Sequence, residues 1–207
     1  MSGMPDHSGI SALIVAAGLS RRMGSFKPLL PLGNATVIEN TVAGALAGGA
    51  ECAVVVTGYR GGEVETVLYH RFGDTVRCVR NPDFAATDML RSVQLGAAAL
   101  RSCEAFFLLP GDMPAVSPDT FRAMLDAREQ GRPLLVFPTQ NGRRRHPPLV
   151  DAALIPEILA FRGTDGLRGL WREHERDSVF VPVSDPGVTL DLDTPEDYER
   201  CKKLWMI

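Results

Sequence analysis

Cysteine is scarce and scattered in this chain. Its 207 residues include only Cys52, Cys78, Cys103 and Cys201, with no CxxC pair and no Cys/His spacing of the kind that binds metal. A disulfide framework and a zinc site are therefore both unsupported. Reduced thiols are the expectation.

Long hydrophobic runs and an excess of charge of one sign are also missing. No apolar run is long enough to cross a membrane, and the opening MSGMPDHSG has no charged region followed by an apolar one. A formal net charge of −3 provides no overall attraction to nucleic acid or to an anionic membrane. These absences predict a cytoplasmic protein with neither partner.

Short apolar runs alternate with helix-length segments along most of the chain. Strands are predicted at 12–16, 53–57, 76–79, 105–109, 134–137 and 179–183. Helices are predicted at 36–47, 62–70, 89–101, 118–130, 152–161 and 166–174 and from 195 onward, with Ser117 capping the fourth. The alternation predicts one α/β domain over 1–207, a mostly parallel Rossmann-like sheet flanked by helices.

A basic, glycine-bearing loop follows the first predicted strand. At Gly18 the missing side chain lets backbone N–H groups approach phosphate oxygens, while Arg21, Arg22 and Lys27 add positive charge. The GxxxxGK[ST] and GxGxxG patterns both fail here, which argues against a Walker ATPase and a dinucleotide-binding Rossmann protein. The loop is interpreted as a triphosphate-binding loop; the alternative is an ordinary turn with a solvated basic tip.

Aspartates follow two further segments that are predicted to be extended. Asp112, in LLPGDMP, ends a hydrophobic strand, where a carboxylate is well placed for Mg²⁺ or, alternatively, for capping the next helix. In LDLDTPED, Asp191 and Asp193 are interpreted as alternating across an extended segment, so that only one of them, expected to be Asp191, faces the site. Sparse carboxylates beside a phosphate loop suggest phosphoryl or nucleotidyl transfer.

Seven motifs occur together in order from about residue 10 to the last predicted helix. They are AAGLSRRMG with the following Lys27, VVTGYRG, NPDF, SVQLG, GDMP, HPP and LDLDTPED. In this combination the chain resembles molybdenum cofactor cytidylyltransferases, within the larger group of MobA-like nucleotidyltransferases. The resemblance implies a nucleotide-diphospho-sugar transferase type of fold and transfer of CMP from CTP to molybdopterin, with Mg²⁺ as the metal and pyrophosphate as a product.

The resemblance also implies roles for individual residues. Residues up to about 115 would bind nucleotide, and residues from about 116 would bind the acceptor and supply the second metal ligand. His146 would contact the acceptor, and the finished dinucleotide would pass to a molybdenum hydroxylase apoenzyme. The nucleotide would be held by Ala16, Ala17, Gly18, Leu19, Arg22, Lys27 and Ser92, with Lys27, Arg22 and Asp112 catalytic and with Asp112 and Asp191 or Asp193 on the metal.

Base choice and acceptor remain open at the level of the sequence. Guanylyl-transferring relatives carry LAGG in the first loop, and the methyl group of Ala17 here favours a pyrimidine nucleotide. Arg145 and Asp88 stand where the family often has glycine, and either could reshape a pocket. The alternatives are guanylyl transfer, nucleotidyl transfer to a sugar phosphate, and a noncatalytic chaperone that delivers the cofactor.

Overall fold

The computed structural model describes residues 9–20 and 23–205. The strands are β1 Ile10–Ala16, β2 Pro31–Leu32, β3 Ala35–Thr36, β4 Cys52–Thr57, β5 Val76–Arg80, β6 Ala105–Pro110, β7 Leu135–Gln140, β8 Arg143–Arg144, β9 Leu149–Asp151 and β10 Ser178–Pro182. The α-helices are α1 Val37–Ala47, α2 Gly61–Phe72, α3 Met89–Ala99, α4 Pro118–Glu129, α5 Ile155–Ala160, α6 Arg168–Glu173 and α7 Pro195–Trp205. No helix in these two stretches is long and apolar enough to cross a membrane.

The main sheet is mostly parallel, which confirms the predicted fold class. Its order in the described residues is β10-β7-β9-β6-β1-β4-β5, and β8 pairs with β7 at one side. The pairs β1 with β4, β1 with β6, β4 with β5 and β7 with β10 are all parallel. Parallel neighbours end at the same edge of the sheet, so the loops after β1, β4, β5 and β6 meet there.

β9 is a strand that the sequence did not predict. Its three residues run antiparallel between β6 and β7 and join the two halves of the sheet. The predicted helix over 152–161 is also shorter than expected, because a 3₁₀ turn at Ala152–Leu154 precedes α5. Pro156 lies in the first turn of α5, where its missing N–H costs no helical hydrogen bond.

Local capping explains where several helices begin. The Thr36 hydroxyl accepts from the Glu39 amide and the Glu39 carboxylate accepts from the Thr36 amide, a reciprocal cap that starts α1. At α4 the predicted cap is confirmed, since the Ser117 hydroxyl accepts from the Asp119 amide. Thr194 and Asp197 form a similar reciprocal cap at the start of α7.

The core lies on both faces of the sheet, as the period of two in a strand requires. Ala12 and Ile14 of β1 face the apolar side chains of α1, α2 and α4, whereas Leu13 faces those of α3, α5 and α6. A strand buried on both faces needs apolar residues at nearly every position, and β1 meets that need except at Ser11, whose buried hydroxyl pairs with Cys52 Sγ.

A third apolar cluster ties the end of the chain to the segment after the basic loop. Its buried side chains are Leu32, Val37, Leu190, Leu192 and Cys201. The Tyr198 hydroxyl of α7 also donates a hydrogen bond to the Pro31 carbonyl oxygen. Burial of this cluster therefore brings the LDLDTPED segment beside the loop that precedes β2.

Candidate active site

A cleft of about 210 Å³ lies at the carboxyl edge of the sheet. Ala16, Ala17 and Gly18 follow β1 on one wall, and Gly111 and Asp112 follow β6. The full lining is Val15, Ala16, Ala17, Gly18, Ser20, Lys27, Pro28, Phe84, Thr87, Asp88, Met89, Ser92, Pro110, Gly111 and Asp112. This edge is where ligands bind in open parallel sheets.

Lys27 joins two distant aspartates at one end of the cleft. Its Nζ lies 2.9 Å from Asp112 Oδ2 and 2.7 Å from Asp193 Oδ1, and the residue as a whole is only 8% exposed. Partial burial lowers the pKa of Lys27, but the hydrogen bonds and charges of Asp193 and Asp112 outweigh that effect, so the pKa is raised. Lys27 is therefore a fixed positive charge at neutral pH.

In the LDLDTPED segment, Asp193 contacts Lys27, and Asp191 lies within electrostatic reach of Asp112, Asp193 and Lys27; neither aspartate is among the residues that line the cleft. Residues two apart in an extended segment share a face, and here Leu190 and Leu192 take the opposite, buried face. Partial burial of its carboxyl raises the pKa of Asp191, and the charges of Asp112 and Asp193 raise it further. Of Asp191 and Asp193, it is Asp193 that contacts Lys27 directly.

The loop after β1 is shaped by one serine and two glycines. Ser20 adopts a positive φ of 52°, and its hydroxyl accepts a hydrogen bond from the Lys27 amide, which closes the loop. A Cβ at Gly58 would lie 2.5 Å from the Ala17 carbonyl oxygen, so this glycine allows the loop after β4 to pack on Ala17. A Cβ at Gly18, in contrast, would meet no atom of the described residues within 4 Å. Gly18 therefore leaves open space beside its backbone.

The structure brings most of the predicted nucleotide residues together. Ala16, Ala17, Gly18, Lys27 and Ser92 all line the cleft with Asp112. Leu19 is half-buried and is not among the lining residues. Arg22, predicted to grip phosphate, lies outside the described residues.

One wall of the cleft was not assigned from the sequence. Phe84, Thr87, Asp88 and Met89 line it, and Asp88 also caps α3 by accepting from the Arg91 amide. The NPDF motif follows directly after β5, so its place at the carboxyl end of a parallel strand was a usable signal.

Tyr59, in the VVTGYRG motif, supports the wall from outside. Its ring packs edge-on against Phe26 at a centroid distance of 5.5 Å and lies 6.3 Å from Phe84. The Arg60 guanidinium lies over the Phe26 ring and pairs with Glu63. Neither Tyr59 nor Arg60 lines the cleft.

His146 lies outside the cleft lining but within electrostatic reach of Asp112. Desolvation of the imidazole lowers the pKa of His146, and the positive charge of Arg168 lowers it further; Asp112 and the Leu108 backbone oppose the shift. The preceding Arg145 has a buried Nε without a hydrogen-bond partner among the residues described. Arg145 and Arg168 are therefore the cationic side chains near His146 at neutral pH, and the lowered pKa of His146 favours its neutral form.

The donor set fits a magnesium ion held by few protein ligands. Within 9–20 and 23–205, no group of three or more His, Cys, Asp or Glu side chains is arranged to hold a metal. Mg²⁺ needs only one or two carboxylates when phosphates and water supply the remaining oxygens. Asp112 and Asp193 both contact one cation, the Lys27 ammonium, so two carboxylates of the right chemistry meet at this end of the cleft.

The model of the MobA-like NTP transferase domain matches residues 12–179, which include the cleft and the sheet. The chain belongs to this family. It is 32% identical over 202 residues to the molybdenum cofactor cytidylyltransferase of Escherichia coli K12, covering 95% of this chain and 97% of that one. It is also 27% identical to nicotine blue oxidoreductase of Paenarthrobacter nicotinovorans, covering 96% and 98% of the two chains.

A solved structure agrees with the family assignment. A nucleotidyl transferase from Methanothermobacter superposes with a TM-score of 0.80 at 30% identity, covering 96% of this chain and 98% of that one. The expected fold type and enzyme class are thereby confirmed: the protein is a nucleotidyltransferase of the MobA-like family.

Proposed function

We propose that this nucleotidyltransferase transfers CMP from CTP to molybdopterin and uses Mg²⁺. The observation that carries the proposal is the contact of Lys27 with both Asp112 and Asp193 at the end of a cleft whose Gly18 wall is open. The 32% identity to the cytidylyltransferase of Escherichia coli supports the choice of substrates. Ala17, in place of the first glycine in the LAGG loop of guanylyl-transferring relatives, favours the pyrimidine base.

In the proposed reaction, an oxygen of the molybdopterin phosphate attacks the α-phosphorus of CTP. The bond from that phosphorus to the oxygen of the β-phosphate breaks, and pyrophosphate leaves. Lys27 stabilises the negative charge that develops on the transferred and leaving phosphates. The attacking oxygen is already anionic, so the reaction does not demand a general base.

The metal would be held by Asp112 and Asp193, with Asp191 beside them. When bound there, Mg²⁺ would neutralise phosphate charge, as it does in other phosphoryl and nucleotidyl transfers. Ala16, Ala17 and Gly18 would contact the nucleotide through the backbone, and Leu19 and Arg22 would complete that contact.

The acceptor would lie on the side of residues 116–207. His146 and Arg145 lie within the part of the chain that follows Asp112, and Arg168 is near enough to His146 to lower its pKa. A positive surface of this kind suits the phosphate of molybdopterin. The dinucleotide product would then pass to a molybdenum hydroxylase apoenzyme.

Pyrophosphate release tests the proposal directly. Purified protein is mixed with Mg²⁺, molybdenum-loaded molybdopterin and either CTP, GTP, ATP or UTP, and each reaction is repeated without the acceptor. The expected result is release with CTP that requires the acceptor. Release with GTP would instead assign the guanylyl reaction, and release that requires a sugar phosphate would assign that acceptor. Nucleotide binding without release would favour the delivery chaperone.

A further inference from the structure

Asn81 is a buried polar residue that the proposed reaction does not yet use. It follows β5 directly, and it is only 1% exposed. Its backbone N–H donates a hydrogen bond to the Thr57 carbonyl oxygen at 2.8 Å. Its side chain lies behind the wall of the cleft that Thr87 and Ser92 line. A buried side-chain amide needs partners for its own hydrogen-bonding groups, and it also orients the hydroxyl groups to which it donates.

The orientation of the Asn81 amide follows from its partners. Oδ1 accepts a hydrogen bond from the Asp83 amide at 3.0 Å, and a backbone N–H can only donate. Nδ2 therefore faces the two hydroxyl groups, at 3.2 Å from Thr87 Oγ1 and 3.0 Å from Ser92 Oγ. Thr87 in turn donates its own proton to the Asp83 carbonyl oxygen.

This arrangement determines what the Ser92 hydroxyl can do. Ser92 is 3% exposed, lines the cleft and accepts from Asn81. Within the described residues the hydroxyl has no second hydrogen bond, so its single proton has no acceptor among them. Asn81 Nδ2 can only donate and fills one of the two acceptor positions of the oxygen, so the proton, the one donor of the hydroxyl, remains for a ligand.

The wall around Ser92 carries no cationic side chain among the described lining residues. Lys27 and Asp112 lie where the loops after β1 and β6 meet, whereas Ser92 is on α3, which packs on β1 and β4. Phe84 and Met89 line the same wall, and its one charged group is the carboxylate of Asp88, which caps α3. A partly aromatic wall whose one charge is negative suits a nucleobase better than a phosphate.

We propose that Asn81 is a positioning residue for base selection: it holds Ser92 as a hydrogen-bond donor, so the cleft selects a base that presents an acceptor there. On its pairing edge cytosine presents two adjacent acceptors, O2 and N3, beside its amino group, whereas guanine presents two adjacent donors, at N1 and its exocyclic amino group, beside the single acceptor O6. The inference rests on the proposed function, since it assumes that a nucleotide occupies this cleft.

Asn81→Asp tests the inference with almost no change of shape. The variant keeps an oxygen for the Asp83 amide but replaces the Nδ2 donor by an acceptor, which withdraws the Ser92 proton from the cleft. CTP affinity, measured by calorimetry, should weaken about tenfold or more, the effect of one unmade hydrogen bond at a buried site. Affinity for inorganic triphosphate should not change. Asn141→Asp places the same added charge on an exposed turn and is the matched control.

A double-mutant cycle separates positioning from a merely structural role. In a Ser92→Ala background, Asn81→Asp should cause no further loss of CTP affinity, because the group on which it acts is missing. An equal loss in both backgrounds, or no loss in either, would overturn the inference. Nucleotide analogues give a second test on the unaltered protein: CTP should bind at least several-fold more tightly than 3-deaza-CTP or 2-thio-CTP, and equal affinity for all three would also overturn it.

The same binding measurements distinguish failure of the proposed function from failure of the proposed role of Asn81. If the unaltered protein binds no nucleoside triphosphate, the proposed function and this inference both fail. If it binds CTP and the two substitutions act additively, only the role of Asn81 fails.

Discussion

Lys27 Nζ lies 2.7 Å from Asp193 Oδ1 although 166 residues separate the two in sequence. The contact depends on the apolar cluster in which Leu32, after the loop, packs with Leu190 and Leu192. The Leu192 amide also donates to the Asp112 carbonyl oxygen at 3.2 Å, so the two acidic segments are held together. The electrostatics of the site are thus a consequence of core packing at the end of the chain.

Lys27→Met should lower kcat/KM for CTP by about a hundredfold or more, since it removes a positive charge aimed at phosphates. Nucleotide affinity should fall as well. Pyrophosphate release and calorimetry measure the two effects. Lys203→Met, which removes an exposed lysine of α7, is the control and should leave both unchanged. Normal turnover and affinity in the Lys27 variant would contradict its role.

Asp112→Ala should abolish pyrophosphate release without unfolding the protein. The residue ends a strand and is not a packed apolar group, so circular dichroism and the thermal midpoint should stay close to those of the unaltered protein. Asp126→Ala removes an exposed aspartate of α4 and should retain activity. Full activity of the Asp112 variant would rule out the proposed metal ligand.

Asp193→Asn should raise the Mg²⁺ concentration needed for half-maximal activity more than Asp191→Asn does. Of these two aspartates, Asp193 contacts Lys27 directly, whereas Asp191 acts on the site through its charge. A Mg²⁺ titration of both variants measures the difference. A larger effect at Asp191 would reverse the assignment of the second ligand.

Arg145→Gly restores the glycine that the family often has before the HP pair. If the segment that holds Arg145 and His146 binds the acceptor, KM for molybdopterin should rise several-fold while KM for CTP stays unchanged. Arg143→Gly introduces the same backbone freedom at an exposed neighbour and serves as the matched control. Identical kinetics in both variants would place Arg145 outside the acceptor site.

His146 should titrate below the ordinary histidine value of 6.5, because desolvation and the charge of Arg168 disfavour its protonated form. The unfolded chain then binds more protons than the folded one as the pH falls through 6.5, so this group lowers stability on acidification. Imidazole NMR shifts, assigned with His146→Gln, measure the pKa. Arg168→Gln should raise it and Arg172→Gln, on the same helix, should not; a midpoint at or above 6.5 in the unaltered protein would contradict the prediction.

The secondary structure was largely predictable from local sequence. β1 and β4 are largely apolar runs of strand length, and Ser117 followed by Pro118 predicts the start of α4. These signals are readable in the sequence because they act between residues that are close along the chain. β9 was not predictable, since a segment of three residues is too short to show a periodic pattern. It is a strand only because β6 and β7 pair with it.

The sequence alone was enough to predict the fold class, the family motifs and the position of Gly18 and Asp112 just after strands. Tertiary structure decided how these groups combine. Only packing in the third apolar cluster brings Asp193 to Lys27, which lies in a 3₁₀ turn. Only the folded chain shows Asn81 behind Ser92. Periodicity along a chain records which side of an element is buried, whereas contacts between distant elements depend on side-chain volumes and loop paths that no local pattern encodes.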